Sequence, residues 1–212
     1  MVNKLFGTDG VRGVANTYPM NVEFAFDLAE ILSFEVCKNK KKVAIGKDTR
    51  NSGDMIEAAL AAGFMANGVD VISLGIVPTP LVTLKTPQLD IDMALMITAS
   101  HNPYHDNGIK LINSHGNKFP DEFYAKVEGL LDKKQQERKS NNKNNQDNNN
   151  KPNKSPSPLG CIIKDESLIE NYIDDMRKIA PNYKALQNLR VVLDCANGSF
   201  FYILPQTFKD LG

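Results

Sequence analysis

Between Val22 and Ile97, short apolar runs alternate with longer stretches of helical period. This alternation constrains the fold more than any other feature of the 212-residue sequence. Val22, Phe26, Ala29, Leu32 and Val36 recur at helical spacing over residues 22–38. Asn21 stands where an N-cap is needed, and Glu23 falls in the first turn, where negative charge suits the helix dipole. Residues 43–46 read as a buried strand. Ser52 is placed to cap a second helix over 53–67, with Gly68 at its C′ position. Residues 69–74 and 93–97 read as further strands. Thr79 followed by Pro80 reads as the N-cap and first turn of another helix. Strands alternating with helices predict an α/β fold with a parallel sheet. In such a sheet, ligands collect at loops beyond the carboxyl ends of the strands. Residues 47–50 and 98–102 occupy two such ends.

Composition narrows the function classes. Lysine plus arginine number 25 and aspartate plus glutamate number 25. This balance argues for neither a nucleic-acid partner nor an anionic membrane. Cys37, Cys161 and Cys195 are far apart in the chain and form no CxxC pair, so reduced thiols are expected. The first residues lack the apolar run of a secretory signal, and no apolar stretch is long enough to span a bilayer. Cytoplasmic localisation is the expectation.

The composition changes abruptly after a helix expected over 121–135. Residues 139–158 are almost entirely asparagine, lysine, serine and proline. Ordering a backbone residue costs about 1–2 kcal/mol, and this tract has little to bury in return. It is expected to be a disordered insertion between a first domain, 1–138, and an unfinished start of a second, 159–212. In the latter, 165–178 reads as an amphipathic helix and 190–194 as a strand leading into Cys195-Ala196-Asn197-Gly198-Ser199. A strand–crossover–strand unit needs about 30 or more residues, so the unit opening at 190 is incomplete at Gly212. The expectation is a fragment of a larger enzyme.

Four segments carry chemistry. Thr98-Ala99-Ser100-His101-Asn102-Pro103 follows an apolar strand directly, so Ser100 can present its hydroxyl in an open loop. Read alone, the loop favours a turn serine bonding its own backbone. His101 is badly placed to deprotonate Ser100, since adjacent residues of an extended segment point to opposite sides. No G-x-S-x-G elbow is present either, which disfavours a hydrolase triad. Phe6-Gly7-Thr8-Asp9-Gly10-Val11-Arg12-Gly13 combines glycines with an arginine able to fork onto phosphate. Read in isolation, it favours a glycine-rich turn pinned by an Asp–Arg pair. Gly46-Lys47-Asp48-Thr49-Arg50 sets charge at a strand end and a helix start, a place that attracts anions or is simply a solvated cap. Asp106-Asn107-Gly108-Ile109-Lys110 reads as a turn that delivers a lysine shortly after the serine loop.

Together and in this order, the segments resemble the α-D-phosphohexomutase family. Residues 6–13 are similar to its opening motif, 46–50 to its G-x-D-x-R segment, and 98–103 to its active-serine loop. Residues 104–111 continue that loop as in the phosphoglucosamine branch. Residues 192–198 are similar to the opening of the family's second domain. The resemblance spans the chain except 139–158. It implies a mixed, largely parallel sheet sandwiched by helices, followed by the beginning of a second similar α/β domain. It also implies that Ser100 carries a phosphoryl group, exchanged with a hexosamine phosphate through a bisphosphate intermediate. Arg12, Lys110 and His101 would be catalytic companions of Ser100, with Lys110 as acid/base. Thr8, Asp9, Asp48, Arg50 and Asn102 would bind substrate or phosphate. A phosphoserine carries about −1.5 to −2 charge, so cations must gather around it.

The resemblance further implies Mg²⁺, bound through the phosphate on Ser100 and a loop of aspartates. No D-x-D-x-D pattern occurs in the sequence, and the family's sugar-selecting segment is missing as well. The chain is therefore expected to be inactive alone. A phosphomannomutase/phosphoglucomutase and a non-catalytic phosphosugar-binding remnant are the alternatives. A homo-oligomer or a complementing C-terminal half are the partners to consider.

Overall fold

The computed structural model describes residues 5–7, 10–143, 158–165, 167–179 and 186–212, with side chains described only to residue 140 in the helix that ends at Lys143. The strands are β1 (Val11–Val14), β2 (Lys42–Lys47), β3 (Asp70–Ile76), β4 (Met93–Ile97), β5 (Asp106–Asn113) and β6 (Ile162–Lys164). The helices are α1 (Val22–Glu35), α2 (Gly53–Ala66), α3 (Thr79–Lys85), α4 (Asp121–Lys143), α5 (Ser167–Ile179) and α6 (Ile203–Asp210). One sheet joins the strands in the order β1-β5-β4-β2-β3-β6. The four strands β4, β2, β3 and β6 run parallel, while β5 and β1 pair antiparallel at one side. The sheet is thus mixed and largely parallel, as the resemblance implied.

Side-chain alternation along the strands builds two cores, one on each face. Val43 and Ile45 of β2, with Met93, Leu95 and Ile97 of β4, pack against Phe24, Leu28 and Leu32 of α1 and Ile56, Leu60 and Phe64 of α2. Ala44, Ala94 and Met96 face the other way, toward Leu81 and Val82 of α3, Tyr172 and Ile173 of α5 and Ile203 of α6. Burying each such leucine or isoleucine contributes about 1.5–3 kcal/mol. Helices cover both faces, which is what parallel strands with apolar residues on both sides require.

Several local expectations hold. Asn21 caps α1, its side chain accepting from the Phe24 N–H at 3.0 Å. Gly68 follows α2 with φ +75°. Others need correction. Ser52 makes no capping bond; its hydroxyl instead accepts from the Asn107 side chain at 2.8 Å. The Asp-Asn-Gly segment read as a turn is the start of β5. Asn107 is wholly buried, and a Cβ on Gly108 would stand 2.6 Å from the Thr98 carbonyl oxygen and 2.7 Å from that of Val11. Glycine is there because two strands press on it, not because the chain turns. Residues 190–194 form no strand; Val192 is 95% exposed. A strand needs a partner edge, and none is offered to them among the described residues.

The break in composition is also not where order stops. α4 continues to Lys143, because residues 136–139 are good helix formers and because Lys134 and Arg138 reach back to the buried Asp27 of α1. The insertion expected over 139–158 therefore begins as helix, and its residues 144–157 lie outside those described. Beyond it, β6 adds to the sheet beside β3, and Leu168, Tyr172 and Ile173 of α5 join the second core.

Candidate active site

The chain leaves β2 through α2 toward β3 on one side of the sheet, and β4 pairs on the other side of β2. The direction of strand addition reverses between β2 and β4, and a crevice opens beyond the carboxyl ends at such a point. The two loops that leave these strands, 47–52 and 98–105, meet there. They are tied by the Asp48 N–H, which donates to the Ile97 carbonyl at 3.0 Å. A cleft of about 880 Å³ opens over them, lined on this bank by Asp48, Arg50, Thr98, Ser100, His101 and Asn102. The opposite bank is the turn Ala196-Asn197-Gly198-Ser199-Phe200. Thr49 bridges the banks, donating its hydroxyl to the Asn197 carbonyl at 2.7 Å.

Ser100 is exposed at the cleft and holds φ at +57°, the left-handed region. For a residue with a Cβ this conformation costs on the order of 1–3 kcal/mol and persists only where surroundings enforce it. Here they do. The Ser100 N–H donates to the Thr98 hydroxyl at 2.9 Å, and that hydroxyl donates to Asp48 Oδ2 at 2.6 Å. The Ser100 carbonyl accepts from Arg50 Nη2 at 2.8 Å.

Arg12 lies in β1, two strands from the parallel part of the sheet. β1 pairs with β5, and the register Arg12↔Gly108 brings the side chain to the serine loop. Arg12 Nη1 donates to the Ala99 carbonyl at 3.3 Å and to Asn102 Oδ1 at 3.2 Å, while Asn102 Nδ2 donates to Asp106 at 2.9 Å. Nε and Nη2 of Arg12 make no bond among the described residues. Lys110 is half-buried in β5 opposite Met96 of β4. Directly opposed residues of an antiparallel pair share a face, and Met96 lines the cleft. His101 is exposed at the cleft mouth. Thr8 and Asp9 lie outside the described residues. Gly10, just after them, sits against the backbone of Ile109 and Lys110.

The expected phosphate ligands Asp48 and Arg50 are engaged otherwise. Arg50 donates through Nε to Asp48 Oδ2 at 3.0 Å and through Nη1 to the carbonyls of Pro103 at 2.6 Å and Asp106 at 3.0 Å. Its Nη2 also reaches the Asn102 carbonyl at 2.9 Å, besides that of Ser100. All five N–H donors of the guanidinium are then used within the protein. Asp48 is 9% exposed and is turned toward Arg50 and Thr98. Sequence reasoning gave Thr98 no role, because a threonine at a strand end has many bland explanations. It also missed Asp106 and Asn107, hidden in an apparent turn.

Among the described residues no group of three or more histidine, cysteine, aspartate or glutamate side chains could hold a metal. Asp48 is the only carboxylate lining the cleft among those residues, and its oxygens are occupied. Mg²⁺ prefers six oxygen ligands, usually with one or two carboxylates. These residues do not by themselves form a magnesium site.

Ser100 is thus held under strain at the switch point of an α/β sheet, with Arg12 bonded to the loop that carries it. Residues 3–138 match the family model "Phosphoglucomutase/phosphomannomutase, alpha/beta/alpha domain I". The chain belongs to the phosphoglucomutase/phosphomannomutase family. It is 40% identical to the phosphoglucosamine mutase of Chelativorans sp. (strain BNC1) and 41% identical to that of Methylobacterium radiotolerans, covering 100% of this chain and 44% of each relative. The chain thus spans less than half the length of the curated relatives it matches. Among solved structures it is similar to a phosphoglucomutase/phosphomannomutase family protein from Burkholderia thailandensis, with TM-score 0.74, 23% identity and coverage of 99% of this chain and 42% of that one. It is also similar to a putative phosphomannomutase from Thermus thermophilus, with TM-score 0.73, 26% identity and coverage of 98% and 43%. No helix among the described residues is long and apolar enough to cross a membrane.

Proposed function

We propose that this chain is the phosphoserine-bearing part of a phosphohexose mutase that interconverts glucosamine 6-phosphate and glucosamine 1-phosphate. The observation that carries the reading is Ser100 itself: exposed at a cleft, strained, and held by bonds at both its N–H and its carbonyl. The phosphoglucosamine mutases at about 40% identity support the choice of sugar.

In the proposed reaction the bond between Ser100 Oγ and phosphorus breaks while an oxygen of the sugar phosphate forms a new bond to phosphorus. The proton of that sugar hydroxyl ends on Ser100 Oγ, and Lys110 assists its passage. The product is a hexosamine bisphosphate, which turns over and returns its other phosphate to Ser100. Transfer of this kind depends on positioning and charge stabilisation. Arg12, whose bonds to the loop run through Nη1 among the described residues, supplies positive charge. Two unit charges about 4 Å apart attract by about 4 kcal/mol at an effective dielectric of about 20. Magnesium is the ion the family resemblance implies; its carboxylate ligands would have to come from outside the described residues, and no step above runs through it.

Turnover at a normal rate is proposed to require the remaining length of the relatives, so the 212-residue chain should exchange phosphate with the sugar only slowly, far short of normal mutase activity. Incubation with glucosamine 1,6-bisphosphate, followed by intact mass and peptide mapping, tests the reading. Phosphate on the Ser100 peptide, absent from Ser100→Ala, is expected. Phosphate elsewhere, or unchanged in the alanine variant, contradicts the assignment of Ser100. Normal mutase activity of the chain alone in a coupled assay would contradict the incompleteness.

A further inference from the structure

We propose that Asp48, Arg50 and Thr98 form a clamp that sets the direction of the Ser100 hydroxyl, with Arg50 a positioning residue and not a phosphate ligand. This rests on the reading of Ser100 as the reacting residue. One guanidinium collects the carbonyl oxygens of Ser100, Asn102, Pro103 and Asp106, which fixes the loop at four points. These oxygens carry partial negative charge and would oppose a phosphoserine if they faced it. Gathered on Arg50, they are neutralised and turned to a cation. Asp48 holds the fork in place through Nε and through the Arg50 N–H.

Thr98 links the clamp to the reacting residue. Asp48 as a carboxylate can only accept, so the Thr98 hydroxyl proton points at Asp48. The remaining lone pairs of that oxygen face the Ser100 N–H and accept from it. That bond and the Arg50 bond to the Ser100 carbonyl grip the two peptide groups flanking the strained Cα. Without them the residue relaxes to the favoured negative φ, and its Cβ–Oγ vector swings away from the cleft. A misplacement of about 1 Å can lower a transfer rate by about 10²-fold.

Two readouts on the full 212-residue chain test the clamp. The first is amide hydrogen exchange over residues 98–106. Arg50→Lys offers three donors from one point and cannot span four carbonyls, and Thr98→Val removes the hydroxyl. Both should speed exchange in this loop while leaving β2, β3 and β4 unchanged, and Thr98→Ser should restore wild-type exchange. An unchanged loop, or a uniform rise across the sheet, would overturn the clamp. The second is the rate of Ser100 phosphorylation by glucosamine 1,6-bisphosphate. Arg50→Lys and Thr98→Val should slow it about 10²-fold at saturating donor, with the half-saturating concentration little changed. A raised half-saturating concentration at an unchanged maximal rate would make Arg50 a phosphate ligand and overturn the proposal. If the wild-type chain accepts no phosphate, the mutase reading fails while the exchange result still decides the clamp.

Discussion

The two banks of the cleft are built differently. The serine bank is braced from three directions: Arg50 from the β2 loop, Arg12 from β1 and Thr98 from the end of β4. Behind it, Asp48, Thr98 and Asn107 are buried polar residues with their hydrogen bonds met inside the protein. The facing turn is held by its own short-range bonds, Ala196 N–H to Asp194 at 2.8 Å and Gly198 N–H to the Cys195 carbonyl at 2.7 Å, and by the Thr49 bridge. Ala196 and Asn197 are both left-handed there, and Val191 and Val192 just before them lie open to solvent. Side-chain bonds from distant elements are thus concentrated on the serine bank, whereas among the described residues the facing turn receives one, from Thr49.

This contrast can be broken at graded strengths. Gly108→Ala should be the most damaging change, because its Cβ would meet backbone oxygens on two sides and backbone cannot step aside. A loss of about 3 kcal/mol is expected, at the upper end for overpacking, measured by chemical denaturation. The cysteines give the next effect. Burial pushes the Cys37 thiol up from its ordinary value of 9.0 to about 12. Below pH 9 the thiol is protonated in both folded and unfolded chains, so it does not affect stability. Between pH 9 and about 12 only the unfolded chain loses the proton, so stability falls with rising pH. The loss is about 1.4 kcal/mol by about pH 10. Cys37→Ala should flatten that slope, and thiol reagents should label half-buried Cys195 well before Cys37.

Thr49→Val removes the bridge between banks and should cost about 0.5–1 kcal/mol. Proteolysis near residues 186–200 should speed up in this variant, while hydrogen exchange in β4 stays unchanged. Val192→Thr, on the open side, should change stability by less than about 0.5 kcal/mol. If it instead costs as much as Gly108→Ala, the two banks are not different in kind.

The legible parts of the fold were those that local chemistry decides. Asn21 before an apolar period, Gly68 after an alanine-rich one and the apolar run Met93–Ile97 each specify their own backbone. The site was half legible for the same reason. The position of Ser100 at a strand end follows from the run before it, but the partners of Arg50 do not. Nothing near Arg50 in the chain says that its donors will find carbonyls about 50 residues away, and a charged residue at a helix start reads as an anion ligand by default. Residues 190–194 failed in the opposite way. Their local pattern is that of a strand, and pairing, which is not local, is missing among the described residues.

The most direct measurement is a chase. The phosphorylated chain, once mapped, is mixed with glucosamine 6-phosphate, and the phosphate is followed by mass spectrometry of protein and sugar. The account predicts that phosphate leaves Ser100 for the sugar as a bisphosphate faster than it is lost to water. Phosphate that stays on the protein, leaves only to water, or was never on Ser100 would contradict it.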